Sequence, residues 1–195
     1  MNLLKKIFRS SENEAPKEPI EVPVVLELDD LFVHHFIKKG GKFLYCTSEV
    51  DVAQNIANII EENDWDKLSY KSKTTLRFLS TVEAQLTPGC NASVPFVTTC
   101  ESLIAEDGSI LFSSNQLGDA KLCHMNNNFI VIATTSQMVK SRGDSLTAIN
   151  LNYKGNIPTN ISAVQKYKNV EEEDNFLNYG TNNSKNLYLL LLENL

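Results

Sequence analysis

The chain has 195 residues, of which 42% are hydrophobic and 22% charged, the usage of an ordinary globular protein; this excludes a disordered or fibrous class and supplies one well-filled core. Its formal charge is −6, with no long segment of clustered lysine and arginine, which argues against a nucleic-acid partner because phosphate backbones are held by clustered basic surface. Cys46, Cys90, Cys100 and Cys123 stand far apart with no C-x-x-C spacing, each in or beside an apolar stretch, so they are expected to be reduced core thiols and not a disulfide framework or a zinc site.

Residues 1–8 (MNLLKKIF) are basic and apolar but lack the apolar run of about 7–15 residues and the cleavage site of a secretory signal. No stretch reaches the roughly 20 apolar residues that span a bilayer. A cytoplasmic location is expected, which strips meaning from the sequon at Asn91-Ala92-Ser93 and from Arg142-Gly143-Asp144. Residues 9–23 are polar and hold three prolines, so they read as a flexible lead-in. The expected organisation is a basic terminal segment and linker over residues 1–23 and one domain over residues 24–195. The octapeptide can also form one or two helical turns with Leu3, Leu4, Ile7 and Phe8 on one side, a short tether in a structural interaction module.

In the domain, Asp29 or Asp30 is expected to cap a helix that places Leu31, Phe32, Phe36 and Ile37 near helical spacing and stops at Gly40-Gly41. A strand is expected over Lys42 to Cys46. Ser48 and Asp51 have capping-box spacing ahead of a helix to about Asn63, with Val52, Ile56, Ile59 and Ile60 as its apolar stripe. A short strand at Trp65 to Tyr70, a short helix at Lys73 to Ser80 and a turn at Pro88-Gly89 follow. The second half holds short runs of β-formers: Val94 to Thr99, Leu103 to Ala105, Ile110 to Ser113 and Phe129 to Thr134. Asp107-Gly108 predicts a tight type I′ hairpin. A helix from about Asp144 to Asn152, a loop over Asn169 to Asn186 and a closing buried strand, Asn186 to Glu193, complete the chain. The alternation predicts an α/β fold, a layered sheet flanked by helices.

Three sets of segments carry a resemblance: residues 30–46 (DLFVHHFIKKGGKFLYC), residues 104–112 (IAEDGSILF), and residues 129–139 (FIVIATTSQMV) with residues 186–194 (NLYLLLLEN). In their order and spacing they resemble the LUD-domain, or lactate-utilization, family over roughly residues 28 to 194. The resemblance implies the wider fold of ribose-phosphate isomerases, coenzyme A transferases and folate cyclo-ligases. It also implies an accessory role in lactate oxidation beside iron-sulfur or flavin subunits. Any such cofactor would belong to a partner, because the four cysteines lack cluster-ligand spacing. The chain departs from the family pattern at Asp107 and Ser109, which stand where threonines are usual, and at Phe129, which stands where a histidine is usual. At residues 157–164 (IPTNISAV) it lacks the family's anion-gripping arginine.

No nucleophile elbow, Walker loop, dinucleotide glycine fingerprint or H-E-x-x-H is present, which argues against an independent hydrolase, NTPase or NAD enzyme. His34 and His35 are adjacent, about 100° apart on a helix, and so are poor joint ligands; His124 stands alone beside Cys123. No metal site is expected. Glu101 is the best candidate acid or base, since it precedes a strand and the distantly related transferases employ a glutamate, although the resemblance does not align it with that residue and a solvated or capping glutamate is the alternative. The expected site is instead a small pocket beyond strand ends, built from Thr98, Thr99, the turn Asp107, Gly108 and Ser109, and Thr134 to Gln137. Such a pocket suits a binding protein or weak enzyme for an anionic metabolite, a coenzyme A ester, folate or sugar phosphate.

Overall fold

The computed structural model describes residues 27–167 and 183–194. The lead-in, the start of the domain and most of the Asn169 to Asn186 segment lie outside the described residues. Six strands form one parallel sheet: β1 (Lys42–Cys46), β2 (Lys67–Tyr70), β3 (Gln85–Pro88), β4 (Phe96–Thr99), β7 (Asn128–Thr134) and β10 (Asn186–Leu192), in the spatial order β1-β10-β7-β4-β2-β3. Four shorter strands form a second sheet: β5 (Ser102–Ile104), β6 (Ser109–Phe112), β8 (Met138–Val139) and β9 (Ser162–Val164), in the order β8-β5-β6-β9. The α/β class with helices flanking a parallel sheet is as expected. The second sheet is not, because β8 and β9 are too short to leave a pattern.

Strand β10 shows why the large sheet sits centrally. Its leucine run is buried on both faces, as a parallel strand covered on both sides requires. Leu187, Leu189 and Leu191 face one cluster, while Tyr188, Leu190 and Leu192 face another. The first cluster is completed by Phe32 and Phe36 from helix α1 (Leu28–Lys38) and by Leu103, Ile110, Phe112 and Val164 from the small sheet. The second is completed by Val52, Ile56, Ile59 and Ile60 of α2 (Glu49–Glu62) and by Phe78 and Leu79 of α3 (Lys73–Leu79). On its other face the small sheet meets Ile149 of α5 (Arg142–Asn152) through Ile104 and Leu111. The layers therefore run from α2 and α3 through the parallel sheet and the small sheet to α5.

Local chemistry sets most boundaries. Ser48 and Asp51 form the expected capping box of α2, and Ser141 with Asp144 forms another at α5. Helix α1 differs: its N-cap is Glu27, with no side-chain cap, while Asp29 and Asp30 lie in the first turn, where carboxylates favour the positive end of the helix dipole. Pro88 ends β3, an edge strand, where a missing N–H is tolerated; the turn begins at Gly89, which has φ of 98°. Cys46 and Cys100 are buried and Cys90 is half-buried, but Cys123 is exposed, because Leu122 takes the inward position of that 3-10 turn. No helix among the described residues is long and apolar enough to cross a membrane.

Candidate functional site

Adjacent strands β4 and β7 end at Thr99 and Thr134, and beyond their carboxyl ends lies a cleft of about 510 Å³. This is where an open parallel sheet offers its ligand site. One wall comes from α3 and its N-cap, through Ser72, Thr74 and Arg77; the floor is Thr99 to Glu101 and Ile132 to Thr134. The opposite wall holds Asn115 and Gln116 of the short helix α4 (Ser114–Leu117), Gln137, and Asn152 and Tyr153 at the end of α5.

Glu101 is positioned by both its backbone and its carboxylate. Its N–H donates to Leu111 O at 2.8 Å, which ties it to the small sheet. Carboxylate Oε1 accepts from Ser113 Oγ at 2.5 Å, Asn115 Nδ2 at 2.9 Å and Gln116 Nε2 at 3.2 Å. Oε2 accepts from the Tyr153 hydroxyl at 3.1 Å. The orientation of Gln116 follows from its other end, since its Oε1 accepts from Ser113 N at 2.8 Å in the α4 capping box. Burial raises the Tyr153 hydroxyl above the ordinary tyrosine value, and the charge and hydrogen bond of Glu101 raise it further against a smaller lowering by Asn115. Tyr153 is therefore a neutral donor at physiological pH. Cys100, on the same floor, is no nucleophile, because burial, followed by the charge of Glu101, pushes its thiol far above the ordinary range.

Thr134 and Gln137 hold the neighbouring rim. Gln137 Oε1 accepts from Thr134 N at 2.8 Å, and its Nε2 donates to Cys100 O at 2.6 Å, so one amide joins the ends of β7 and β4. Both of its polar atoms are engaged by the protein, which makes Gln137 a brace of the cleft. Thr99 Oγ1, Thr74 Oγ1 and the Asn152 amide also line the cleft, and none of them has a hydrogen-bond partner among the described residues.

The structure thus brings Thr99, Glu101, Thr134 and Gln137 together and leaves the other candidates elsewhere. Thr98 alternates to the opposite face of β4, is 2% exposed, and donates to Thr99 O at 3.0 Å. Asp107, Gly108 and Ser109 lie at the far end of β5, where the loop to β6 meets α1. The expected two-residue type I′ turn is instead a four-residue loop, Ala105 to Gly108, because Ile104 pairs with Ser109. Asp107 does not take positive φ; its Oδ1 accepts from Ser109 N at 2.9 Å, which widens the turn. Gly108 has φ of 65°, and a Cβ there would sit 2.6 Å from Phe36 N, so the glycine lets the loop touch α1. Lys39 Nζ donates to Asp107 O, and Arg142 Nη2 lies 3.3 Å from Asp107 Oδ2. Burial works to raise the Asp107 carboxyl, but the hydrogen bonds from Ser109 and the charges of Lys39 and Arg142 together bring it below the ordinary aspartate value.

Sequence reasoning missed the side walls. The Ser113 to Gln116 spacing is a capping box and would have signalled α4. Nothing local announces Arg77 or Tyr153, which reach the cleft only through the packing of α3 and α5. His35 Nδ1 lies 2.9 Å from Ala105 O, which gives one of the paired histidines a structural contact. Among the described residues no group of three or more His, Cys, Asp or Glu side chains could hold a metal ion.

No protein-family model and no curated protein matches the sequence. Among solved structures, the chain is similar to a DUF162 family protein from Deinococcus radiodurans, with a TM-score of 0.62 and 11% identity over 87% of this chain and 99% of that one. DUF162 is the LUD-domain family, and what this chain shares with that protein is a distant relation of fold.

Proposed function

We propose that this LUD-like chain is a binding protein for a small anionic metabolite, held in the cleft beyond β4 and β7. The observation that carries the reading is the convergence of donors there: Thr99, Thr74 and Asn152 have polar groups with no hydrogen-bond partner among the described residues, and Arg77 supplies the positive charge. A cleft of about 510 Å³ is the size that encloses a metabolite. The Arg77–Glu49 contact, 3.4 Å between half-exposed side chains, is worth about 0–1 kcal/mol and so yields readily to a ligand anion. With a formal charge of −6, the chain offers an anion little long-range attraction, and local contacts must hold it.

Arg77→Ala tests the reading. In calorimetric titration with a panel of carboxylate and phosphate metabolites, a ligand of the wild-type protein should bind roughly tenfold or more weakly to the variant. A ligand whose affinity ignores Arg77 would contradict the reading.

An accessory role beside iron-sulfur or flavin oxidoreductase subunits of lactate oxidation is a second reading, supported by the segments that resemble the LUD family and by the shared fold. Affinity purification of a tagged copy from source cells grown with and without lactate tests it. Enrichment of such subunits on lactate is the expected result; recovery of the protein alone in both conditions would count against the role.

A further inference from the structure

We infer that Glu101 Oε2 is the recognition point for a hydroxyl of the ligand, so that the cleft selects a hydroxylated small anion, a sugar acid or a sugar phosphate, over its deoxygenated counterpart. The inference rests on the binding reading above and specifies its ligand.

The hydrogen-bond inventory of the carboxylate leads to it. Ser113, Asn115 and Gln116 saturate Oε1. Ser113 has one hydroxyl proton, and its distances of 2.5 Å to Glu101 and 3.2 Å to Gln116 Oε1 assign that proton to Glu101. Among the described residues Oε2 has a single donor, Tyr153, which leaves one of its acceptor positions open. Tyr153 has spent its own proton on Glu101, so it offers an incoming group only an acceptor. A group docking on this corner must therefore donate.

The surrounding groups choose among donors. An ammonium donates but cannot accept, and it would leave the free donors Thr99 and Asn152 unanswered. A hydroxyl donates to Oε2 and accepts from such a neighbour. The same four-donor frame fixes Glu101 in orientation, so the open acceptor position is preorganised and binding costs little side-chain entropy. Arg77 then takes the anionic end, be it carboxylate or phosphate. A three-carbon hydroxy acid would leave most of the 510 Å³ unfilled, whereas a chain of several hydroxylated carbons occupies it.

Matched ligand pairs test this on the full chain: gluconate against hexanoate for the carboxylate source, and sorbitol 6-phosphate against hexyl phosphate for the phosphate source. In calorimetry the hydroxylated member of at least one pair should bind about tenfold or more tightly than its partner, and that ratio should fall to near one in Glu101→Ala. Which pair shows the preference identifies the anionic end. In the wild-type protein the Glu101 side-chain carboxyl carbon resonance should move with the hydroxylated member and stay still with the other, a readout independent of how the variant folds. Equal binding within both pairs would overturn the hydroxyl inference and leave the anion site standing. Absence of binding by all four would overturn both. A preference that persists in Glu101→Ala would remove the role from Glu101.

Discussion

Glu101 and Asp107 lie on either side of the same three-residue strand, β5, Glu101 immediately before Ser102 and Asp107 three residues past Ile104. Each carboxylate is held by several donors, yet the donors differ in kind. Those of Glu101 are neutral side chains around an open cleft, and they leave one acceptor position unused. Those of the Asp107 carboxylate are the Ser109 N–H on Oδ1 and the Arg142 guanidinium of α5 with Gln165 Nε2 at 3.5 Å on Oδ2; Lys39, just past α1, donates to the Asp107 carbonyl oxygen, and together these contacts clamp the hairpin onto its neighbours. Similar carboxylates thus sit in different settings: the hairpin end closes the fold, and the cleft end is the one we propose receives a ligand. If that contrast holds, substitutions at the hairpin end should change stability without touching ligand binding, whereas substitutions at the cleft end should change ligand binding, with at most a moderate cost in stability.

Phe36→Ala should give the largest effect. The ring is fully buried, stacks on Phe32 at 5.6 Å and meets Tyr167 at 4.5 Å, so its removal should cost about 3–5 kcal/mol in urea unfolding. Gly108→Ala comes next: positive φ and a Cβ pressed against the backbone of α1 should cost about 2–4 kcal/mol, with ligand affinity unchanged in the folded fraction. Glu101→Ala removes the common acceptor of buried Ser113 and Gln116, so about 1–3 kcal/mol is expected by the same method, together with loss of the hydroxyl preference.

The smallest effect concerns pH. Because the folded value of Asp107 is depressed, its carboxylate contributes stability that is fully present above the unfolded aspartate value of about 3.9 and is lost as pH falls through the folded value. Arg142→Ala removes one cause of the depression. Its destabilisation should be at most about 1 kcal/mol at neutral pH and should shrink as acid titrates Asp107, so wild-type and variant unfolding midpoints converge below that window. A constant gap down to strong acid would show that Arg142 stabilises by packing and not by its charge.

The parts of the fold legible in the sequence were those with local causes. Strand β1, helix α2 with its capping box, and the apolar strand β10 need only neighbours in sequence to declare themselves. What stayed hidden was tertiary. Strands β8 and β9 are two and three residues long and exist because β5 and β6 offer edges. The hairpin turn was placed correctly but typed wrongly, since the Asp107 side chain competes with the two-residue geometry. At the cleft, Thr99, Thr134 and Gln137 were singled out as strand ends or the residues after them, and Glu101 because it precedes a strand. Asp107 to Ser109 were grouped with them as a turn beyond a strand end that offers hydroxyl and N–H groups, although the direction of β5 sends that loop to the other end. Arg77 and Tyr153 enter through helix packing, which no local pattern encodes.

The most direct test is an amide NMR titration of the full chain with gluconate and with sorbitol 6-phosphate. At least one of the two should shift Thr99, Glu101, Asn115 and Thr134, with Glu106 to Ser109 unmoved. Shifts confined to the hairpin, or saturating binding that leaves the β4–β7 cleft silent, would contradict the cleft as the binding site.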